Sequence, residues 1–95
     1  MRTLRPSSIG YAEVIDHLYI AFGDSDLTTL DHEDEVGPWI TVQYSWPDGE
    51  LAGIEIYGLK EHFGNPPLSI MIPAREPFIV EIPELRPEET RERVA

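Results

Sequence analysis

Residues 39–57 read WITVQYSWPDGELAGIEIY. Two apolar, β-rich runs flank a Pro-Asp-Gly corner. Pro47 pre-sets φ for the first corner position, Asp48 tolerates the second, and Gly49 supplies the left-handed residue that closes the bulge. A loop of this kind, three residues long, joins antiparallel strands. It predicts Trp46 opposite Glu50, Tyr44 opposite Ala52, Val42 opposite Ile54 and Ile40 opposite Ile56. Side chains alternate along a strand, so these residues share one face. Gln43 with Gly53, Thr41 with Glu55 and Trp39 with Tyr57 share the other.

Upstream, LYIAF (18–22) sets Leu18, Ile20 and Phe22 on one side and Tyr19 and Ala21 on the other. That is a half-buried strand, and IGYAEV (9–14) pairs with it through a turn near Asp16; a short helix across AEVIDHL competes with this reading. Residues 23–37 read as a polar, acidic loop in which LTTL (27–30) could form a short edge strand. Downstream, Pro67, Pro73, Pro77 and Pro83 bracket LSIMI and FIVEI, which read as a second hairpin with proline-blunted strand ends. The last stretch, LRPEETRERVA, has Pro87 placed for a first helical turn, with acids before Arg91 and Arg93 as a helix dipole prefers.

The expected fold is therefore mainly β: a small antiparallel sheet built from hairpins, with strands near 9–14, 18–22, 38–45, 50–57, 68–72 and 78–82. An α+β fold is the alternative. Residues 1–8 read as a flexible arm, 9–84 as one β domain, and 85–95 as a short helix or tail. A chain of 95 residues is one domain, and one this small buries only about 60–65% of its unfolded surface. It has no cysteine, hence no disulfide or thiolate metal site. The start, MRTLRPSSIG, lacks the apolar stretch of a signal peptide, and no run is long and apolar enough for a membrane span. A cytoplasmic location is expected.

Charge is the loudest compositional feature. Eighteen acids against seven Lys and Arg give a net −11, a surface that repels phosphate backbones and argues against direct nucleic-acid binding. From Pro6 to Leu59 there is no Lys or Arg, but there are 11 acids: Glu13, Asp16, Asp24, Asp26, Asp31, Glu33, Asp34, Glu35, Asp48, Glu50 and Glu55. Such a stretch favours solubility and steers basic partners.

DHLYIAF followed by WITVQYSWPDGELAGIEIYGL resembles the small prokaryotic family known as domain of unknown function 2283. The matching residues are Asp16, Leu18, Tyr19 and Ile20; Ile40, Val42 and Tyr44; and Asp48, Gly49, Gly53, Ile54, Glu55 and Ile56. The resemblance covers roughly residues 11–59. Gln43 and Ser45 stand where the family often carries aspartates, and the second hairpin has no counterpart in it. The resemblance implies a small antiparallel β domain in a prokaryotic or phage-derived cytoplasmic protein, with no catalytic residues to carry over. It also suggests an antitoxin-like partner role.

Motifs for chemistry are sparse. DSDLTTLDHEDE (24–35) places Asp24 and Asp26 at the first and third positions of a calcium loop and Glu35 at the twelfth, but Thr29 stands where the sharp turn needs glycine. Asp24, Asp26, Asp31 and Glu35 thus remain weak candidates for a cation, and a solvated acidic loop is the favoured reading. His17, His32 and His62 show no zinc spacing, no serine sits in a nucleophile elbow, and no phosphate-binding glycine motif occurs. No cofactor is expected. Trp39, Thr41, Glu55 and Tyr57 stand out as a partner-binding stripe opposite the aliphatic face, because exposed aromatics favour interfaces. The competing reading buries Trp39 and Tyr57 under the second hairpin as a small core.

The sequence thus reads as a non-catalytic acidic interaction module that forms a homodimer or binds a protein partner. The alternatives are an antitoxin-like inhibitor of a small basic protein and a binder of a small ligand or cation. Because acids crowd residues 6–59 with no base interleaved, their mutual repulsion should be relieved by screening. The melting midpoint at neutral pH should rise from low to moderate sodium chloride. A midpoint that stays put or falls would show that bases from the C-terminal half already compensate the acids.

Overall fold

A computed structural model describes residues 1–23, 30–45, 49–86 and 90–91, with backbone alone for Leu30, Asp31, Thr90 and Arg91. The fold is mainly β, as the alternation predicts. In chain order the elements are β1 (Arg2–Leu4), β2 (Ser8–Ala12), a 3-10 turn (Glu13–Ile15), β3 (His17–Ala21), β4 (Leu30–Gly37), β5 (Ile40–Ser45), β6 (Leu51–Tyr57), α1 (Leu59–His62), β7 (Leu68–Ile72), β8 (Phe78–Ile82) and β9 (Thr90–Arg91). Two sheets form. The larger runs β4-β5-β6-β3-β2-β9 and the smaller β1-β8-β7. The consecutive neighbours are antiparallel; β1 with β8 and β2 with β9 are parallel.

The core lies between the sheets. Leu18, Ile20, Phe22, Ile40, Val42, Ile54 and Ile56 of the larger sheet pack with Ile70, Ile72, Phe78, Val80 and Ile82 of the smaller one. Phe22 and Phe78 meet edge to face at 5.9 Å across the layers. Complete burial of each such side chain contributes about 1.5–3 kcal/mol, so this aliphatic stripe decides which face of the larger sheet is covered.

The central hairpin keeps its expected register over most of its length: Ile40 with Ile56, Thr41 with Glu55, Val42 with Ile54 and Gln43 with Gly53. Near the turn it differs, because Tyr44 pairs with Leu51 instead of Ala52. Ser45 N–H donates to the Glu50 carbonyl at 2.9 Å, and Gly49 N–H to the Ser45 carbonyl at 2.9 Å. The connection is thus one residue longer than the turn chemistry suggests, and a bulge at Ala52 absorbs the extra residue. Gly49 is left-handed, φ 69°, as expected; Trp46, Pro47 and Asp48 lie outside the described residues. The β7–β8 hairpin pairs Leu68 with Ile82, Ile70 with Val80 and Ile72 with Phe78.

Three segments depart from expectation. Residues 30–37 form a full strand instead of an irregular acidic loop, because the outer edge of β5 must pair its backbone groups and the short Pro38-Trp39 turn brings β4 alongside. Trp39 lies in that turn instead of inside the strand expected from 38. The N-terminal arm contains β1, which pairs with the edge of β8 and lets Leu4 pack on the core; Pro6 then stops the pairing. In residues 85–95, Thr90–Arg91 add a short strand beside Tyr11 and Ala12; Pro87 and Arg93 of the expected helical turn lie outside the described residues, and a short helix forms at Leu59–His62.

Asp16 fastens this helix to the sheet. It follows the 3-10 turn in a left-handed conformation, φ 53°, which Asp tolerates better than most residues. Its carbonyl accepts from Leu59 N–H at 3.0 Å. Its carboxylate accepts from the Tyr11 hydroxyl at 2.6 Å and from the Lys60 and Glu61 N–H groups at 3.0–3.1 Å. Burial pushes this carboxyl up, but the bonds from Tyr11, Lys60 and Glu61, with the Lys60 charge, outweigh it and hold the group below its ordinary value. The stability it lends is therefore present above the ordinary value of 3.8 and lost as pH falls through the lower folded value. Asp16→Ala leaves donors unmet and removes the polar side chain that makes the left-handed backbone tolerable, so urea denaturation at neutral pH should show a loss of about 2–4 kcal/mol. Asp16→Asn, which keeps an acceptor and tolerates the backbone, should lose less.

Candidate interaction face

The outer face of the larger sheet carries the residues that point away from the core. By register, Glu33 lies beside Gln43 and Gly53, and Glu35 beside Thr41, Glu55 and Tyr19. Tyr57 lies beside His17. The second hairpin packs on the opposite face, so the reading that buried Trp39 and Tyr57 beneath it is overturned. Trp39, Tyr57 and Tyr19 are 40%, 41% and 38% exposed.

The structure brings the four stripe residues together, in different environments. Thr41 is buried, and Glu55 is mostly covered. The Trp39 carbonyl accepts from Tyr57 N–H at 2.8 Å, which sets Trp39 at the end of the stripe. Its ring stacks on His62 of α1 at 3.7 Å and 9°. Two members of the face escaped the sequence reading, His17 and Tyr19. Their strand alternation was visible, since Tyr19 falls opposite Leu18 and Ile20, but the pairing of β3 against β6 was not.

His17 is the centre of the face. Its ring sits against Tyr19 at 4.1 Å and Tyr57 at 4.3 Å. Its Nε2 is buried without a hydrogen bond, 3.4 Å from Glu55 Oε1. The other Glu55 oxygen accepts from Gln43 Nε2 at 3.0 Å, and the same nitrogen donates to Glu33 at 3.3 Å. Gln43 reaches both acids because Gly53 beside it has no side chain. A β-carbon on Gly53 would stand 2.3 Å from the Ile20 carbonyl oxygen and 3.2 Å from Gln43 Oε1.

Electrostatics follow from this covering. Burial lowers the pKa of His17. Burial and then the charge of Glu33 raise that of Glu55. Burial and then Glu55 raise Tyr57, against a hydrogen bond with Thr41. Among the described residues, no Lys or Arg pairs with Glu33, Glu35 or Glu55.

Of the four cation candidates only the Glu35 side chain is described. Asp24 and Asp26, and the side chain of Asp31, lie outside the described residues, while Glu35 is exposed at the sheet edge. Among the described residues no cluster of three His, Asp or Glu is arranged for a metal. Among the described residues, clefts of about 270 and 510 Å³ are lined around Arg2, Tyr44 and Arg75 and around Arg5, Leu68 and Glu81. Neither includes a residue of the aromatic face. No helix among the described residues is long and apolar enough to cross a membrane.

The opposed shifts of His17 and Glu55 give a signed pH dependence. The unfolded chain takes up the His17 proton first, so stability from this group is full above its ordinary value of 6.5 and is lost as pH falls toward the lower folded value. The folded chain holds the Glu55 proton longer, so that contribution is full below the ordinary value of 4.5 and is lost as pH rises through the folded one. In denaturation curves measured across this range, His17→Phe should flatten the loss just below pH 6.5. Glu55→Gln should raise stability at neutral pH. Unchanged profiles in both variants would show that the pair does not titrate as a buried unit.

Compared with protein-family models, curated proteins and solved structures, the chain matches none. The resemblance to domain of unknown function 2283 rests on the motif residues alone, and the reading of the face on its own geometry.

Proposed function

We propose that the chain is a non-catalytic interaction module that docks a basic protein partner on the aromatic face of its larger sheet. The observation that carries this reading is the exposure of Trp39, Tyr57 and Tyr19 on one sheet face while the aliphatic face is sealed. Half-exposed aromatic rings beside carboxylates suit Lys and Arg, which stack on the rings and pair with the acids.

The charge of the face favours a basic partner over a second copy. None of strands β2–β6 carries a Lys or Arg. Two copies meeting on this face would set Glu33, Glu35 and Glu55 against one another, and like charges at an interface oppose association. An antitoxin-like inhibitor of a small basic protein is a member of this class.

Catalysis fits the face poorly. A general base must come within hydrogen-bond reach of its substrate. The Nε2 atom of His17 is sealed beneath its neighbours, and neither cleft opens onto it.

The test is affinity capture from the native host, with the wild type and a folded Tyr19→Ser/Tyr57→Ser variant side by side. The wild type should retain a basic protein that the variant loses. Identical captured sets, or an acidic set only, would refute the docking role.

A further inference from the structure

The strand β4 closes one side of the larger sheet, and among the described residues nothing pairs with its outer edge. Which of its backbone groups face outward follows from the ladder. Trp39 and Tyr57 are a hydrogen-bonded pair. Antiparallel pairs alternate, so Thr41 with Glu55 and Gln43 with Gly53 are hydrogen-bonded as well. Ile40, Val42 and Tyr44 therefore turn their N–H and C=O groups toward β4, where they meet Gly37, Asp34 and His32. Between these, Glu33 and Glu35 turn theirs away from the sheet.

The same two residues bear exposed carboxylates on the aromatic face, beside Gln43 and Thr41. The acid between them is treated differently. Asp34, on the core-side face, contacts His32 and pairs with Arg75 at 3.3 Å. Arg75 in turn lies over the Tyr44 ring at 5.1 Å. One side of β4 is thus neutralised from within the molecule, and the other is not.

We propose that the open edge of β4 accepts an extended, basic segment of the partner as an added strand, with Lys or Arg at alternate positions lying against Glu33 and Glu35. This rests on the docking role proposed above and names how the partner is held. Strand addition supplies backbone hydrogen bonds for affinity and alternate side chains for specificity. A residue opposite Glu33 or Glu35 projects on their face, so the basic positions must be two apart. Acids on an edge strand also deter pairing with an identical copy. The edge is therefore closed to self-association and complementary to a basic strand.

The experiment uses the full chain, labelled with nitrogen-15, and a synthetic peptide of alternating Lys and Val at low salt. The Glu33 and Glu35 amides should exchange freely in the protein alone and at least about tenfold more slowly with peptide bound. The Asp34 amide, already paired to β5, should change little. An alternating Glu-Val peptide should not bind. A Lys-Val peptide N-methylated at the pairing positions keeps its charge but should lose binding. The proposal is overturned if the methylated peptide binds as well as the parent. It is equally overturned if shifts are confined to Tyr19 and Tyr57, or if the Lys-Val peptide does not bind at all. None of these outcomes removes a basic protein captured by the wild type and lost from the tyrosine variant, so the two readings fail separately.

Discussion

A six-stranded sheet has two faces, and the described residues supply one three-stranded sheet to cover them. The aliphatic stripe takes the cover, because Leu18, Ile20, Val42, Ile54 and Ile56 bury far more apolar area than the mixed residues on the other side. Everything distinctive about the outer face follows from its being left to stabilise itself. It does so with side chains that cover one another: His17 between two tyrosines, and Gln43 between two glutamates. The covering is close enough to shift the titration of His17, Glu55 and Tyr57 by burial. It still leaves the rims of three aromatic rings in water.

The ends of this face are set by a second contact. Asp16 holds α1 against the β2–β3 turn, which buries Leu59 and presents His62 to Trp39. A four-residue helix has almost no stability of its own. Its position is imposed by a carboxylate that accepts its first N–H groups, the arrangement that favours negative charge at a helix start. The orientation of an exposed tryptophan thus depends on an aspartate far away in sequence.

Much of the fold was legible where local rules agree. Turn chemistry and period-two alternation both specify the 40–57 hairpin, and prolines bracket Leu68–Ile72 and Phe78–Ile82. What the sequence concealed was pairing that depends on a neighbour's unmet backbone groups. DHEDEVG has poor strand propensity, yet it becomes β4 because β5 needs a partner on that side. Arg2–Leu4 becomes β1 for the same reason beside β8. Of the interaction stripe, Thr41, Glu55 and Tyr57 could be placed on one face by alternation alone. His17 and Tyr19 could not join them until the order β5-β6-β3 was known, and the role of Asp16 depends on a helix that no periodicity announces.

The uneven charge of the chain acquires a spatial meaning in this topology. The stretch without Lys or Arg, residues 6–59, contains β2 through β6 and so makes up nearly all of the larger sheet. The smaller sheet and its connections carry Arg2, Arg5 and Arg75. Layering therefore converts a charge asymmetry along the chain into one across the sandwich. Arg75 meets Asp34 and Arg5 meets Glu81 on the side of the smaller sheet, but neither arginine serves the outer face. Exposed pairs of this kind stabilise little individually. Their larger effect is to assign which acids are answered within the molecule; among the acids not so answered, Glu33, Glu35 and Glu55 share one face with the uncovered rings. Acids grouped on one surface give that surface a stronger local field than the same charges spread evenly would.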